Sequence, residues 1–207
     1  MKRLILNADD FCLSPVFNAA IIELAREGAI SSVSAMVDRF DSSQQEQVES
    51  LLKTSVGIGL HVEFATSEAY ADEVQRQYDL FKRIFGREPS HIDIHKSDHM
   101  ELGYPIIVQF ARESGIPFCN HGFDPEGGKT TSKQSIGAIH YSLDKIIEWL
   151  DSFAHDDSGE LVLHPGEYDP HCRTSLNYER AVDVAKARIV KRYCDEYDIE
   201  VISFSEL

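Results

Sequence analysis

The chain has 207 residues, 43% hydrophobic and 10% aromatic, enough for one large α/β domain or two small ones to bury a core without staples. Its formal net charge of -15 argues against a nucleic-acid backbone or an anionic membrane as partner. The four cysteines, Cys12, Cys119, Cys172 and Cys194, form no CxxC pair. That argues against a disulfide framework or a structural zinc site and fits a reducing compartment.

The apolar run at Met1 to Leu6 meets Asn7, Asp9 and Asp10 at once, too soon for a signal sequence. No segment approaches the ~18 apolar residues of a membrane span. A soluble, cytoplasmic protein is expected, with no repeat and no linker-like stretch, so one domain over 1–207.

Arg3 to Ala8 reads as a buried strand ending at Asp9-Asp10. Neighbouring strand residues point to opposite faces, so both acids can serve one site only if the strand is already turning there. Ser14-Pro15 opens a helix that Gly28 closes. Ala29 to Val37 is expected as the second strand and Ser42 to Lys53 as a polar helix. Val56 to Glu63 alternates cleanly. Val56, Ile58, Leu60 and Val62 line one face, and Gly57, Gly59, His61 and Glu63 the other. Glu68 to Phe85 reads as a helix closed by Gly86.

His91-Ile92-Asp93-Ile94-His95 alternates in the same way, and with His99 it holds three of the nine histidines. A strand face carrying His, Asp and His points into something polar: a metal, a substrate or a hydrogen-bond network. His91 and His95 lie ~13 Å apart along such a strand. One metal cannot take both, and His95 is the one at the open end. His91 is expected to be buried and hydrogen-bonded. His99 falls past the strand, within reach of a substrate.

Leu102 to Ser114 is the next helix, closed by Gly115, and Ile116 to Asn120 a short strand. His121 to His140 is long and glycine-rich, as suits a functional loop. Leu143 to Phe153 is an amphipathic helix. Glu160 to Leu163 is a strand running into His164-Pro165-Gly166. Asn177 to Tyr197 is the last long helix and Ile199 to Phe204 the last strand.

Strands and helices alternate about seven times, which predicts a mostly parallel sheet covered by helices. Asp9, Asp10, His61, His95 and His164 sit at strand C-terminal ends. Four strands contributing to one site favour a β/α barrel over an open sheet. Two histidines and a carboxylate make a divalent-metal site with open positions. A second carboxylate can take a proton from water, and a further histidine can protonate a leaving amine or alcohol. Together they describe hydrolysis of an amide or ester. GxGxxG, P-loop and GxSxG motifs are absent.

The ordered set Asn7-Ala8-Asp9-Asp10-Phe11, Gly59-Leu60-His61, His91-Ile92-Asp93-Ile94-His95 with His99, and His164-Pro165-Gly166 resembles the YdjC-like carbohydrate deacetylases. The resemblance runs nearly end to end. It implies a polysaccharide-deacetylase-like (β/α) barrel of about seven parallel strands and a divalent metal, Mg²⁺ or Zn²⁺. It implies removal of acetyl groups from N-acetylated amino sugars or oligosaccharides. On this sequence Asp10, His61 and His95 match the metal ligands, Asp9 the general base and His164 the general acid. Arg173 to Arg180, with Asn177 between them, matches the stretch bordering the substrate. A homodimer is compatible with the resemblance.

Three departures stand out: Cys12 in place of a usual glycine, Lys96-Ser97-Asp98 within a usually His-richer run, and a shortened 62–90 region. Two other readings remain: a metal-dependent sugar isomerase or lyase on a similar barrel, and a non-catalytic metal- or sugar-binding relative. The first would want a second acidic ligand and a lysine. The second would be expected to lose Asp9 or His164 first, and both are present.

Overall fold

The computed structural model describes residues 1–64, 69–95, 99–122 and 127–207. The strands are Lys2–Phe11 (β1), Ser32–Ala35 (β2), Gly57–Val62 (β3), Ile92–Ile94 (β4), Ile136–Gly137 (β5), Ser158–Leu163 (β6) and Ile199–Val201 (β7). The helices are Pro15–Glu27 (α1), Gln45–Leu52 (α2), Tyr70–Phe85 (α3), Met100–Ser114 (α4), Leu143–Asp151 (α5) and Arg180–Glu196 (α6). Glu68, Lys96, Ser97 and Asp98 fall outside the described residues.

Helix ends follow from local chemistry. The Ser14 side chain accepts from Val16 N–H ahead of Pro15, capping α1. Gly28, Gly86 and Gly115 end α1, α3 and α4 in the left-handed region, at φ of 69°, 67° and 68°. Helix α6 starts at Arg180 rather than at Asn177. The Asn177 side chain is bound to Asp169 N–H and to the carbonyls of Asp169 and Cys172, so it holds a turn instead of entering the helix.

All strand pairs are parallel, in the order β4-β3-β2-β1-β6-β5. β7 pairs with the start of β1, at Lys2 to Leu4, while β2 pairs from Asn7 onward. The sheet curls, and residues 117–120 close the seam between its edges. The expected strand at 116–120 is reduced to a bridge between Ile92 and Phe118, since Pro117 has no N–H to give a ladder. Ser135 N–H bonds Asn120 carbonyl at 2.7 Å on the other side. The result is a curled, incompletely regular (β/α) barrel. No helix among the described residues is long and apolar enough to cross a membrane.

The two faces of β1 show how the sequence sorts itself. Leu4, Leu6 and Ala8 join the large apolar cluster under the helices. Ile5 joins the small cluster of Cys119, Ile202 and Phe204 that plugs the barrel bottom. Above this plug the interior turns polar. His91 is fully buried, stacked on the Phe204 ring at 4.0 Å, with its two nitrogens 3.0 Å from Ser34 Oγ and Ser90 Oγ. Burial pushes its pKa down to about 3, so the ring is neutral.

Gly59 faces this ring, and a Cβ there would lie 2.4 Å from it. Gly59→Ala should therefore lower stability by about 1–3 kcal/mol in denaturant unfolding. The same change in a His91→Ala background should cost much less. Equal losses in both backgrounds would mean that the glycine is needed for another reason.

Candidate functional site

Above His91 the barrel opens into a cavity of about 360 Å³. Its floor is Asp9, Asp10, His61, Asp93 and His95. Ile94, Met100, Ile136, Ile139, Val162 and Leu176 give it apolar walls, with His121, His164, Thr174 and Ser175 also lining it. A polar floor under apolar walls suits a small ligand held by a few placed groups.

Strand alternation sends Asn7 and Asp9 inward and would send Asp10 outward. The register of β1 against β2 breaks between Ala8 and Phe11, and Asp10 has φ 69°. This twist brings both acids to one floor. Two residues on, Cys12 has φ 77°, a conformation that glycine takes without strain.

Three ligand-type atoms converge. His95 Nδ1 lies 3.2 Å from Asp10 Oδ1 and 3.2 Å from His61 Nε2. His61 Nε2 lies 3.7 Å from Asp10 Oδ1. Burial, helped by the neighbouring His95, lowers the His61 pKa to about 4. Neutral at pH 7, His61 makes no ion pair with the acids around it, and its lone pair is free for a cation.

Asp10 is held well below the usual carboxylate range. Burial opposes its charge, but His95, His164, His61 and Arg180 together outweigh it. Its Oδ1 is buried and makes no hydrogen bond. Two imidazole nitrogens and one unpartnered carboxylate oxygen fit a divalent cation. Asp10, His61 and His95 could hold it. Asp9, His61 and Asp93 form a second, overlapping cluster.

Asp9 differs from its neighbour. Its Oδ1 accepts from Asn7 Nδ2 at 3.0 Å, and its Oδ2 stands 3.7 Å from His61 Nε2. Burial, then the charge of Asp93, raises its pKa to about 7.

Of the other expected residues, His164 lines the cavity, and its backbone N–H bonds Asp183 Oδ2 at 2.9 Å. Arg173 is exposed and lines a neighbouring groove of about 590 Å³ that shares His95, Thr174 and Ser175 with the cavity. His99 is not on the cavity wall. Its Nδ1 lies 3.0 Å from Tyr70 Oη, and its ring packs beside those of Phe64 and Tyr70. Asn177 is buried in its turn. Arg180 is fully buried: Nη2 lies 2.5 Å from Asp10 Oδ2, and the guanidinium stacks 4.0 Å from the Phe17 ring. Gly166 makes room for this, since a Cβ there would lie 2.6 Å from Phe17 and 3.1 Å from Arg180.

Three further polar residues, two buried and one half-buried, belong to the site without having been expected there. His121 Nε2 lies 2.6 Å from Asp93 Oδ1. Burial lowers the His121 pKa, but Asp93 more than reverses this and lifts it to about 9. Glu160, below the floor, accepts from Asn7 Nδ2 at 3.0 Å and from Ser135 Oγ at 2.5 Å. Asp183 reaches His164 from α6.

Glu160 titrates unusually. Burial, then the nearby charge of Asp93, raises its pKa from 4.5 to about 8; Asp9 pushes the same way and His121 opposes. A raised carboxyl pKa favours folding while the proton is on. That contribution is full below about pH 4.5 and is lost as pH rises through 8. Glu160→Gln should remove this dependence. Its stability relative to the unsubstituted chain should improve by about 1–3 kcal/mol between pH 5 and pH 8.5. A difference that does not move with pH would mean Glu160 is already ionised in the folded chain.

The family model described as YdjC-like protein matches residues 3–71 and 63–199. A carbohydrate deacetylase of Clostridium beijerinckii is 26% identical over 249 residues, covering 99% of this chain and 100% of its own length. A chitooligosaccharide deacetylase of Yersinia pestis is 26% identical over 229 residues, covering 89% of this chain and 90% of its own. A solved structure from Enterococcus faecalis superposes with a TM-score of 0.78 at 21% identity, covering 99% of this chain and 98% of that one. A family 4 carbohydrate esterase from Streptomyces lividans superposes with a TM-score of 0.61 at 9% identity, covering 98% and 91%. At these identities the superpositions speak for the fold alone.

Proposed function

The chain belongs to the YdjC-like family, and from that premise we propose that it is a divalent-cation-dependent hydrolase that removes acetyl groups from N-acetylated amino sugars or their oligosaccharides. One observation carries the reading: Asp10 Oδ1, His61 Nε2 and His95 Nδ1 converge beside a second carboxylate, Asp9, in a cavity that His164 also lines. The deacetylase names of the curated relatives support the substrate class.

Asp10, His61 and His95 would hold a divalent cation, magnesium or zinc, which would supply Lewis acidity to the reaction. Asn7 holds Asp9 Oδ1, which leaves Oδ2 to take a proton from the attacking water. The acetyl C–N bond then breaks, and His164 gives a proton to the departing nitrogen. Acetate and a free amino sugar result. The apolar walls exclude water from the acetyl methyl. Arg173 borders the substrate from the adjoining groove. Asn177 and Arg180 act from behind, by shaping the 169–177 turn and by holding Asp10. His99, set off the cavity, acts indirectly through its contacts with Tyr70 and Phe64. The protein works in the cytoplasm as one 1–207 domain, alone or as a homodimer, without nucleic acid or membrane.

Acetate release from N-acetylated mono- and oligosaccharides, with Mg²⁺, Zn²⁺, Mn²⁺ and Co²⁺ each supplied, tests the reading. Acetate matched by free amine is expected with at least one pairing. None with any pairing would sink it. An amine leaves poorly unless protonated, so His164→Ala should lose about 10²–10⁴ in kcat on an amide. It should lose much less on an acetyl ester with a good leaving group. Equal losses would show that His164 does not act as an acid.

A further inference from the structure

We propose that Asp93 is a positioning residue that fixes the tautomer of His61, drawing the proton to Nδ1 so that Nε2 presents its lone pair to the cluster of Asp10 and His95. This rests on the cation-assisted reading above and adds the group that makes one of its ligands competent.

His61 Nδ1 is buried and makes no hydrogen bond. The polar atom facing it is Asp93 Oδ2, at 3.7 Å. That is within about 1 Å of hydrogen-bond length. A carboxylate can only accept, so the proton that closes this gap is on Nδ1.

The other tautomer has its own attraction. With its proton on Nε2, His61 would donate to His95 Nδ1 at 3.2 Å, and Asp9 Oδ2 and Asp10 Oδ1 also face that nitrogen, each at 3.7 Å. That proton would then occupy the point where a cation must sit. The two arrangements compete, and Asp93 tips the balance toward the one that leaves the point open.

Asp93 is itself held in place. Its Oδ1 accepts the N–H of Ile94 at 2.7 Å and lies 2.6 Å from His121 Nε2. Oδ2 is thereby turned to His61. The spacing explains why the alternating stretch carries an acid at its middle position. Asp93 pairs across the sheet with His61 in the β3–β4 register, so the two side chains leave neighbouring strands at one level. His121 joins them from the segment that closes the barrel seam. The order His121, Asp93, His61 runs from the cavity wall to the cluster, and a ligating imidazole gains basicity and a fixed orientation from such an outer partner.

Two measurements test this. The first is the ¹⁵N NMR tautomer of His61. In the unsubstituted chain, cation-free and Zn²⁺-loaded, the proton is expected on Nδ1. A proton on Nε2 in either state would overturn the proposal without any variant being made. The second is calorimetric titration with Zn²⁺ or Mn²⁺. Asp93→Asn keeps an acceptor for Ile94 and His121 but turns an amide toward His61, which favours the Nε2 tautomer. It should bind one cation about 10–100-fold more weakly, with the tautomer switched and the cation-free melting temperature little changed.

An Asp93→Asn chain with unaltered affinity and tautomer would overturn the proposal. So would two cations per unsubstituted chain, because Asp93 would then be a ligand of the second cluster with Asp9 and His61. If the unsubstituted chain binds no cation, the hydrolase reading fails. The tautomer measurement still decides the role of Asp93.

Discussion

Asp9→Asn is expected to keep its divalent cation and lose about 10²–10⁴ in kcat, while Asp10→Asn loses cation affinity first and activity as a consequence. The two acids are neighbours in sequence, yet the backbone twist at Asp10 gives them different surroundings. Asp9 Oδ1 is tied to Asn7 and its Oδ2 faces the cavity. Asp10 Oδ2 is tied to Arg180 and its Oδ1 faces His61 and His95. An amide at position 9 keeps the size and one acceptor but cannot take a proton as a carboxylate does. An amide at position 10 presents the cluster with a neutral oxygen at best. Calorimetric titration and acetate release, run on both variants, separate the roles. Equal loss of cation in the two would mean that both acids are ligands and that the base lies elsewhere.

The parts of this site that could be read in the sequence are those governed by period two. Alternation in Val56 to Glu63 and in His91 to His95 sets which side chains share a face, and rise per residue separates His91 from His95 in depth. The same rule made Asp9-Asp10 a question about a turning strand, and Asp10 turns at φ 69°. Glycines at 28, 86 and 115 were legible because a helix stop needs the left-handed conformation that they adopt.

What local pattern does not encode is which distant segments meet. The Asn177 to Tyr197 stretch reads as one helix. Nothing in its sequence says that Asn177 is spent on a turn, or that Arg180 and Asp183 reach inward to Asp10 and His164. His121 follows a strand too short to pair regularly, so its place beside Asp93 depends on how the seam closes. Glu160 looks like a solvent-facing strand residue. It is fully buried because β6 is flanked by β1 and β5, and the side chain turns inward to Asn7 and Ser135.

Arg180→Met is expected to be the most destabilising single change at the site, by about 3–5 kcal/mol without cation, because it strips the partner from a buried carboxylate. Arg180 is fully buried, and its Nε and Nη1 have no hydrogen-bond partner. Its hold on the structure is one contact to Asp10 and the face of Phe17. Methionine fills the space against Phe17 but leaves Asp10 Oδ2 bare. A lysine supplies a point charge that cannot both stack on Phe17 and reach Asp10, so Arg180→Lys should fall between. The sign of the pH dependence follows from Asp10, held well below its ordinary 3.8 by His95, His164, His61 and Arg180 against the pull of burial. A depressed carboxyl pKa stabilises the fold above the unfolded value and ceases to do so as pH falls through the folded one. The deficit of Arg180→Met should thus be greatest above about pH 4 and shrink below it. A divalent cation would restore positive charge beside Asp10, so adding Mg²⁺ or Zn²⁺ should raise the variant's melting temperature more than that of the unsubstituted chain. A cation-free Arg180→Met chain as stable as the unsubstituted one at pH 7 would show that Asp10 is already neutralised by the histidines around it.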